Sequence, residues 1–186
     1  MNRDPICMKN DMLKTLYSKQ DLENTVARLG REITEDYRGK TPVMVAVLRG
    51  AFIFMADLVR AIDIPCTVDF MVVSSYGKGT TSSGSVKIIK DLDTNIEGKD
   101  VIIVEDILDS GITLSNLIRV LNQRHPASIR ICTLFDKPAR HKVDIKVDYN
   151  GLVVPDEFIV GYGLDYAEIY RNYPEIAVLK PEVYGD

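Results

Sequence analysis

The sequence predicts an α/β fold: a mainly parallel central sheet flanked by helices, with a smaller, irregular part formed by the chain ends. Three observations predict it. Two strand–helix–strand units follow one another, over residues 43–74 and 101–135. Their strands are continuous apolar runs, as in Val43–Leu48 and Val101-Ile102-Ile103-Val104, which is the pattern of strands buried on both faces of a parallel sheet. The composition, 46% apolar and 27% charged over 186 residues, is that of a globular chain with a sizeable core and excludes a disordered one.

In chain order, the first clear element is a helix. Ser18 is its N-cap, with Asp21 placed for a capping box, and Leu22, Val26, Leu29, Ile33 and Tyr37 recur at helical spacing until Arg38-Gly39-Lys40-Thr41-Pro42 ends it. Strand Val43–Leu48, an apolar helix over 51–62 and a strand over 67–74 make the first unit. Residues 74–85 are Gly-, Ser- and Thr-rich and cannot bury themselves, so they form a loop over the surface. An extended stretch over 86–92 leads to the second unit: a strand over 101–104, a helix over 113–124 and a strand over 129–135. Asn150-Gly151 between two extended segments is a hairpin signal. Short strands follow near 158–162 and 177–179. No linker divides the chain, so residues 1–186 read as one domain, with a core over about 40–140 and a hood from about 1–20 and 145–186.

No apolar run approaches the roughly 20 residues that span a bilayer, and residues 1–11 lack the apolar stretch of a leader. Cys7, Cys66 and Cys132 are odd in number and widely spaced, which fits a reduced, cytoplasmic setting. His125 and His141 suggest no imidazole chemistry.

The chemistry concentrates in Val101-Ile102-Ile103-Val104-Glu105-Asp106-Ile107-Leu108-Asp109-Ser110-Gly111-Ile112-Thr113-Leu114. Two adjacent carboxylates lie at the C-terminal end of a buried strand, where open α/β sheets bind ligands. A tight turn with Gly111 and two hydroxyls then opens a helix, and backbone N–H groups in such a turn make an anion site. Carboxylates beside a phosphate would repel it, so they serve elsewhere, by accepting hydrogen bonds from vicinal sugar hydroxyls or holding hydrated Mg2+. Taken alone, the segment reads equally as a solvated acidic loop with an Asp/Ser N-cap. It contains neither a Walker loop nor a dinucleotide-binding GxGxxG.

The whole string resembles the phosphoribosyl-pyrophosphate signature, and the chain is similar to the type I phosphoribosyltransferases, more closely to the hypoxanthine-guanine branch. Five motifs agree in order. The resemblance implies the type I fold and a set of roles. Glu105 and Asp106 bind the ribose hydroxyls; Asp109, Ser110, Gly111, Ile112 and Thr113 wrap the 5-phosphate; Asp109 is also the general base near the purine N7. Leu48-Arg49-Gly50 is the diphosphate loop, with a cis peptide bond typical between its first two residues, and Ser75, Tyr76 and Arg171 join it. The run beginning at Ser75 is a lid that keeps water from the developing cation. Lys137 donates to the purine 6-oxo group, Phe158 stacks on the ring, Ile159 presents backbone groups to the base edge, and Asp165 completes the base-binding end. Mg2+ is the implied cofactor, on Glu105, Asp106 and Asp165. Without the resemblance, Lys137 reads as a surface lysine and Phe158 as a core aromatic.

The implied reaction transfers phosphoribosyl from 5-phosphoribosyl 1-diphosphate to N9 of a 6-oxopurine, hypoxanthine first and then guanine. The rivals are a xanthine-preferring transferase, a non-catalytic sensor of phosphoribosyl diphosphate that acts on nucleic acid, and a plain sugar-phosphate-binding domain. The expected partners are small molecules and further copies of the chain, in a homodimer or homotetramer for which the apolar helix over 51–62 offers a face. Neither nucleic acid nor membrane is expected. The net charge of −4 argues against a nonspecific polyanion binder and is compatible with a local phosphate site made of backbone N–H groups and a few cations.

Overall fold

A computed structural model describes residues 8–75 and 86–185. Cys7, Tyr76 and the remainder of the loop expected to form the lid lie outside the described residues, as does the start of the N-terminal stretch. A 3-10 turn, Met8–Asp11, leads into β1 (Met12–Tyr17) and then α1 (Lys19–Asp36). The expected capping box is present: Asp21 N–H donates to Ser18 Oγ (3.3 Å), and Ser18 N–H donates back to the Asp21 carboxylate (2.8 Å). Leu22, Leu29 and Ile33 are fully buried, each adding about 1.5–3 kcal/mol over an exposed position.

The central sheet holds β2 (Val43–Leu48), β3 (Thr67–Ser75), β4 (Val86–Lys90), β5 (Asp100–Leu108), β6 (Ser128–Asp136) and β7 (Tyr149–Val153), in the order β4-β3-β2-β5-β6-β7. All neighbours are parallel except β3 and β4. Two helices complete the strand–helix–strand units, α2 (Phe52–Ala61) and α3 (Ile112–Asn122). Side-chain alternation along the strands divides the core. Met44, Ala46, Ile102 and Val104 pack with α1 and α2 on one face, and Val43, Val45, Val101 and Ile103 pack with Leu114, Leu117 and Leu121 of α3 on the other.

A second sheet, in the order β1-β9-β8, joins both chain ends: β1, β8 (Ile159–Val160) and β9 (Ile176–Leu179), followed by the short helix α4 (Pro181–Tyr184). Sequence reading passed over β1 because its pattern, one buried residue followed by three exposed, has no alternation, and its pairing with β9 slips register twice.

Two expectations are corrected. Asn150-Gly151 makes no hairpin; β7 runs straight through it, parallel to β6. Gly151 is there for room, since a Cβ would stand 2.2 Å from the Leu134 carbonyl oxygen, and Asn150 Nδ2 donates to Asp136 Oδ2 (2.9 Å). Gly151→Ala is therefore expected to cost about 1–3 kcal/mol of stability, measured by thermal or denaturant unfolding. The apolar face of α2 is also spent inside the chain: Phe54, Met55 and Leu58 are buried, leaving Phe52 exposed. None of the described helices is long and apolar enough to cross a membrane.

Candidate active site

From β2 the chain steps outward to β3 on one side, while β5, β6 and β7 extend the sheet on the other. The strand order reverses between β2 and β5, and the loops leaving their C-terminal ends part to open a crevice. Leu48-Arg49-Gly50 leaves β2 there, and Asp109-Ser110-Gly111 leaves β5.

At the end of β5, Gly111 turns the chain with φ +75°, a left-handed value that suits glycine, and caps α3. Glu105, Asp109, Ser110, Gly111 and Thr113 line a cavity of about 210 Å³ at the N-terminus of α3. A glycine turn at a helix N-terminus forms a cradle of the kind that suits an anion. Ile112 is the first residue of the helix. The cradle is stitched to the chain after β6: Lys137 N–H donates to Leu108 O and Lys142 N–H to Ser110 O (both 3.0 Å), and Arg140 Nε donates to Asp109 Oδ1 (3.1 Å).

Strand β5 does not stop before its two acids but runs through them, with Glu105 in register with Thr133. Successive strand residues address opposite faces. Glu105 accordingly lines the cavity at the start of α3, while Asp106 reaches toward the β2 loop, where a Cβ on Gly50 would stand 1.5 Å from Asp106 Oδ2. Both residues are partly exposed. Burial, and then the neighbouring Asp106 charge, hold the Glu105 carboxyl well above the usual carboxylate range. Burial also pushes Asp106 up to about 6, opposed by the Ile107 N–H bonded to its Oδ1 (2.7 Å) and by Arg171.

A carboxyl with a raised folded-state pKa stabilises the fold fully below its ordinary value, and that contribution is lost as pH rises through about 6. In the ligand-free protein, stability is therefore expected to shift in favour of Asp106→Asn by about 1–3 kcal/mol between pH 4 and pH 7. Denaturant unfolding at the two pH values measures this; a constant gap contradicts it.

The peptide bond between Leu48 and Arg49 is cis, as the resemblance implied. Leu48, Arg49, Phe52, Glu168 and Arg171 line a second cavity of about 390 Å³. Arg171 is held by Gly163 O (2.8 Å from Nη1) and by Asp165 (2.7 Å from Nη2). Its buried Nε–H has no acceptor among the described residues. Asp165 thus stands with Arg171, and its other oxygen accepts from Glu168 N–H (2.9 Å).

At the end expected to bind the base, Lys137 follows β6 directly, and its Nζ donates to Glu157 O (2.9 Å). Phe158 is 39% exposed. Tyr184 of α4 stacks on it (ring centroids 4.8 Å apart, planes at 23°) and Tyr166 meets it edge-on (5.6 Å). One face of Phe158 is thereby backed by protein. Ile159 is buried in β8, an edge strand among the described residues, so one side of its backbone remains outside the sheet ladder. Ser75 ends β3.

No group of three or more His, Cys, Asp or Glu among the described residues could hold a metal ion, so Glu105, Asp106 and Asp165 do not form a closed cage. The donor set fits Mg2+ that keeps waters and takes substrate oxygens beside one or two carboxylates, the ordinary habit of that ion. Sequence reading missed Phe52, Arg140, Glu168 and Tyr184, which carry no motif of their own and are brought in by the fold. His141, given no role, sits with Nε2 2.7 Å from Asp136 Oδ1.

The crevice sets a glycine turn at a helix N-terminus beside two adjacent acids and a second cavity lined by Arg49 and Arg171, groups of the kind that a phosphorylated sugar would need. The chain belongs to the phosphoribosyl transferase domain family, which it matches over residues 12–167. It is 55% identical over 177 residues to the hypoxanthine-guanine phosphoribosyltransferase of Bacillus subtilis, covering 95% of this chain and 98% of that one. It is 54% identical over 179 residues to the bifunctional protein TilS/HprT of Listeria monocytogenes, where the match covers 96% of this chain but 28% of that longer protein. Among solved structures, a hypoxanthine phosphoribosyltransferase from Staphylococcus aureus superposes with a TM-score of 0.94 at 49% identity, covering 99% of this chain and all of that one.

Proposed function

We propose that the chain is a purine-salvage transferase that moves the phosphoribosyl group of 5-phosphoribosyl 1-diphosphate to N9 of hypoxanthine, and also of guanine, releasing diphosphate. What supports this is the placement in one crevice of the cavity at the turn over residues 109–113, the cavity lined by Arg49 and Arg171, and two adjacent acids, Glu105 and Asp106. A substrate with a phosphate at one end, a diol in the middle and a diphosphate at the other fits that order.

The cradle takes the 5-phosphate through backbone N–H groups. Glu105 and Asp106 accept hydrogen bonds from the ribose hydroxyls. Arg49, Arg171, Ser75 and Tyr76 take the diphosphate, and the unpaired Nε–H of Arg171 offers it a buried, charge-assisted bond. As the bond from the anomeric carbon to diphosphate oxygen breaks, N9 supplies the electron pair of the new bond. The proton shed by the base passes to Asp109. Lys137 donates to the 6-oxo group, the free face of Phe158 stacks on the ring, and Ile159 meets the base edge through its backbone. Mg2+ is the proposed cofactor, held by Glu105 and Asp106 with Asp165 for a second ion; when bound it neutralises charge on the departing diphosphate.

A cytoplasmic setting and a homodimer or homotetramer belong to the same proposal, with exposed Phe52, Val68, Phe70 and Ile89 as the apolar surface available to an interface. So does one domain over residues 1–186.

The test is competition among hypoxanthine, guanine and xanthine for phosphoribosyl diphosphate, with and without Mg2+. Hypoxanthine is expected to be used first, then guanine. Preference for xanthine overturns the base assignment. Ligand binding without turnover, accompanied by salt-sensitive binding of nucleic acid, points instead to a sensor.

A further inference from the structure

Glu168 has no role in the reaction described above, yet its carboxylate stands between the two cations assigned to diphosphate. Its Oε2 lies 2.8 Å from Arg49 Nη1 and 3.4 Å from Arg171 Nη2, and all three residues line the 390 Å³ cavity. The turn that carries it is closed on itself by paired backbone hydrogen bonds between Tyr166 and Ile169 (2.9 and 3.1 Å). Within that turn Ala167 and Glu168 take φ of +49° and +67°, left-handed values that are unfavourable for side-chain-bearing residues. The Glu168 N–H is anchored on Asp165, which itself grips Arg171. The backbone is bent, against its own preference, into a turn whose carboxylate reaches the mouth of an anion site.

We propose that Glu168 is an internal stand-in for the diphosphate: in the free protein it bridges Arg49 and Arg171, and the incoming diphosphate must displace it. The proposal rests on the assignment of this cavity to diphosphate. Two guanidiniums from separate loops repel each other when nothing lies between them, and a carboxylate held by its own turn keeps them together. Diphosphate offers more charge and several oxygens suited to bidentate bonding, so it wins the exchange. A carboxylate that remained in place would face it as a like charge. The exchange weakens diphosphate binding and helps the product to leave, a step that often limits turnover. Because Arg49 and Glu168 are well exposed, the competition is modest, a matter of a few-fold rather than orders of magnitude.

Titration of Mg2+-diphosphate into the wild type and Glu168→Gln by calorimetry tests this, together with steady-state kinetics. The amide keeps the size of the side chain and removes its charge. The variant is expected to bind diphosphate about three- to tenfold tighter, with KM for phosphoribosyl diphosphate lowered in parallel and KM for the purine unchanged. Glu168→Ala should move both constants in the same direction. Equal or weaker binding by both variants overturns the proposal, weaker binding showing that Glu168 positions the arginines instead of competing for them. Failure of the wild type to bind diphosphate at all overturns the assignment of the cavity, and the proposal with it.

Discussion

Asp109→Asn is expected to lower kcat by about 100-fold or more while leaving diphosphate affinity within about twofold, the scale on which a positioned base contributes. Asp109 ends the run from β5 into the turn assigned to the 5-phosphate, and its Oδ1 accepts from Arg140 Nε at 3.1 Å. An amide oxygen can still accept that bond, so the turn should keep its shape while losing the group proposed to take the proton from the purine. Steady-state kinetics and calorimetry on the same preparation separate the two properties. Unchanged turnover removes the base role. Loss of turnover together with loss of binding means that the carboxylate shapes the turn and does not act in chemistry.

Gly50→Ala is expected to lower kcat/KM for phosphoribosyl diphosphate by at least about 100-fold, a scale that misplacement at a reacting centre by about an ångström can reach. The new Cβ would stand 1.5 Å from Asp106 Oδ2 and 2.5 Å from its Cγ. Asp106 cannot move without giving up the Ile107 N–H on its Oδ1. The displacement falls on the residue assigned to the ribose and on the loop assigned to the diphosphate. The cost to the fold should be smaller, about 1–3 kcal/mol, which corresponds to a fall in Tm of several degrees for a chain this size. A variant with wild-type kinetics would show that the β2 loop and the acid pair are independent.

What could be read from the sequence and what could not divide along physical lines. α1 was legible to its cap because capping and the stripe from Leu22 to Tyr37 are local signals. The buried strands β2 and β5 were legible because a parallel sheet covered on both faces demands continuous apolar runs. The turn over residues 109–113 was legible because strand, glycine and helix start are contiguous, and the cis bond at Leu48 was anticipated by resemblance alone. Asn150-Gly151 misled, because the pair that suits a tight turn also suits a strand pressed against the Leu134 carbonyl, and only tertiary packing distinguishes the two. The opposite facing of Glu105 and Asp106 was hidden in the length of β5, which exceeds its apolar run by four residues at the C-terminal end. The cation-lined cavity was only half legible. Its residues come from two distant segments, and Glu168 enters through a turn of left-handed residues that no local preference predicts.

The central claim is that the two cavities and the acid pair between them perform one transfer. Its most direct test is the stoichiometry of a reaction started with phosphoribosyl diphosphate, hypoxanthine and Mg2+, followed by phosphorus NMR and chromatography of the base. One diphosphate and one inosine monophosphate should form for each hypoxanthine consumed. Diphosphate released without consumption of the base, or neither product formed, would contradict the account.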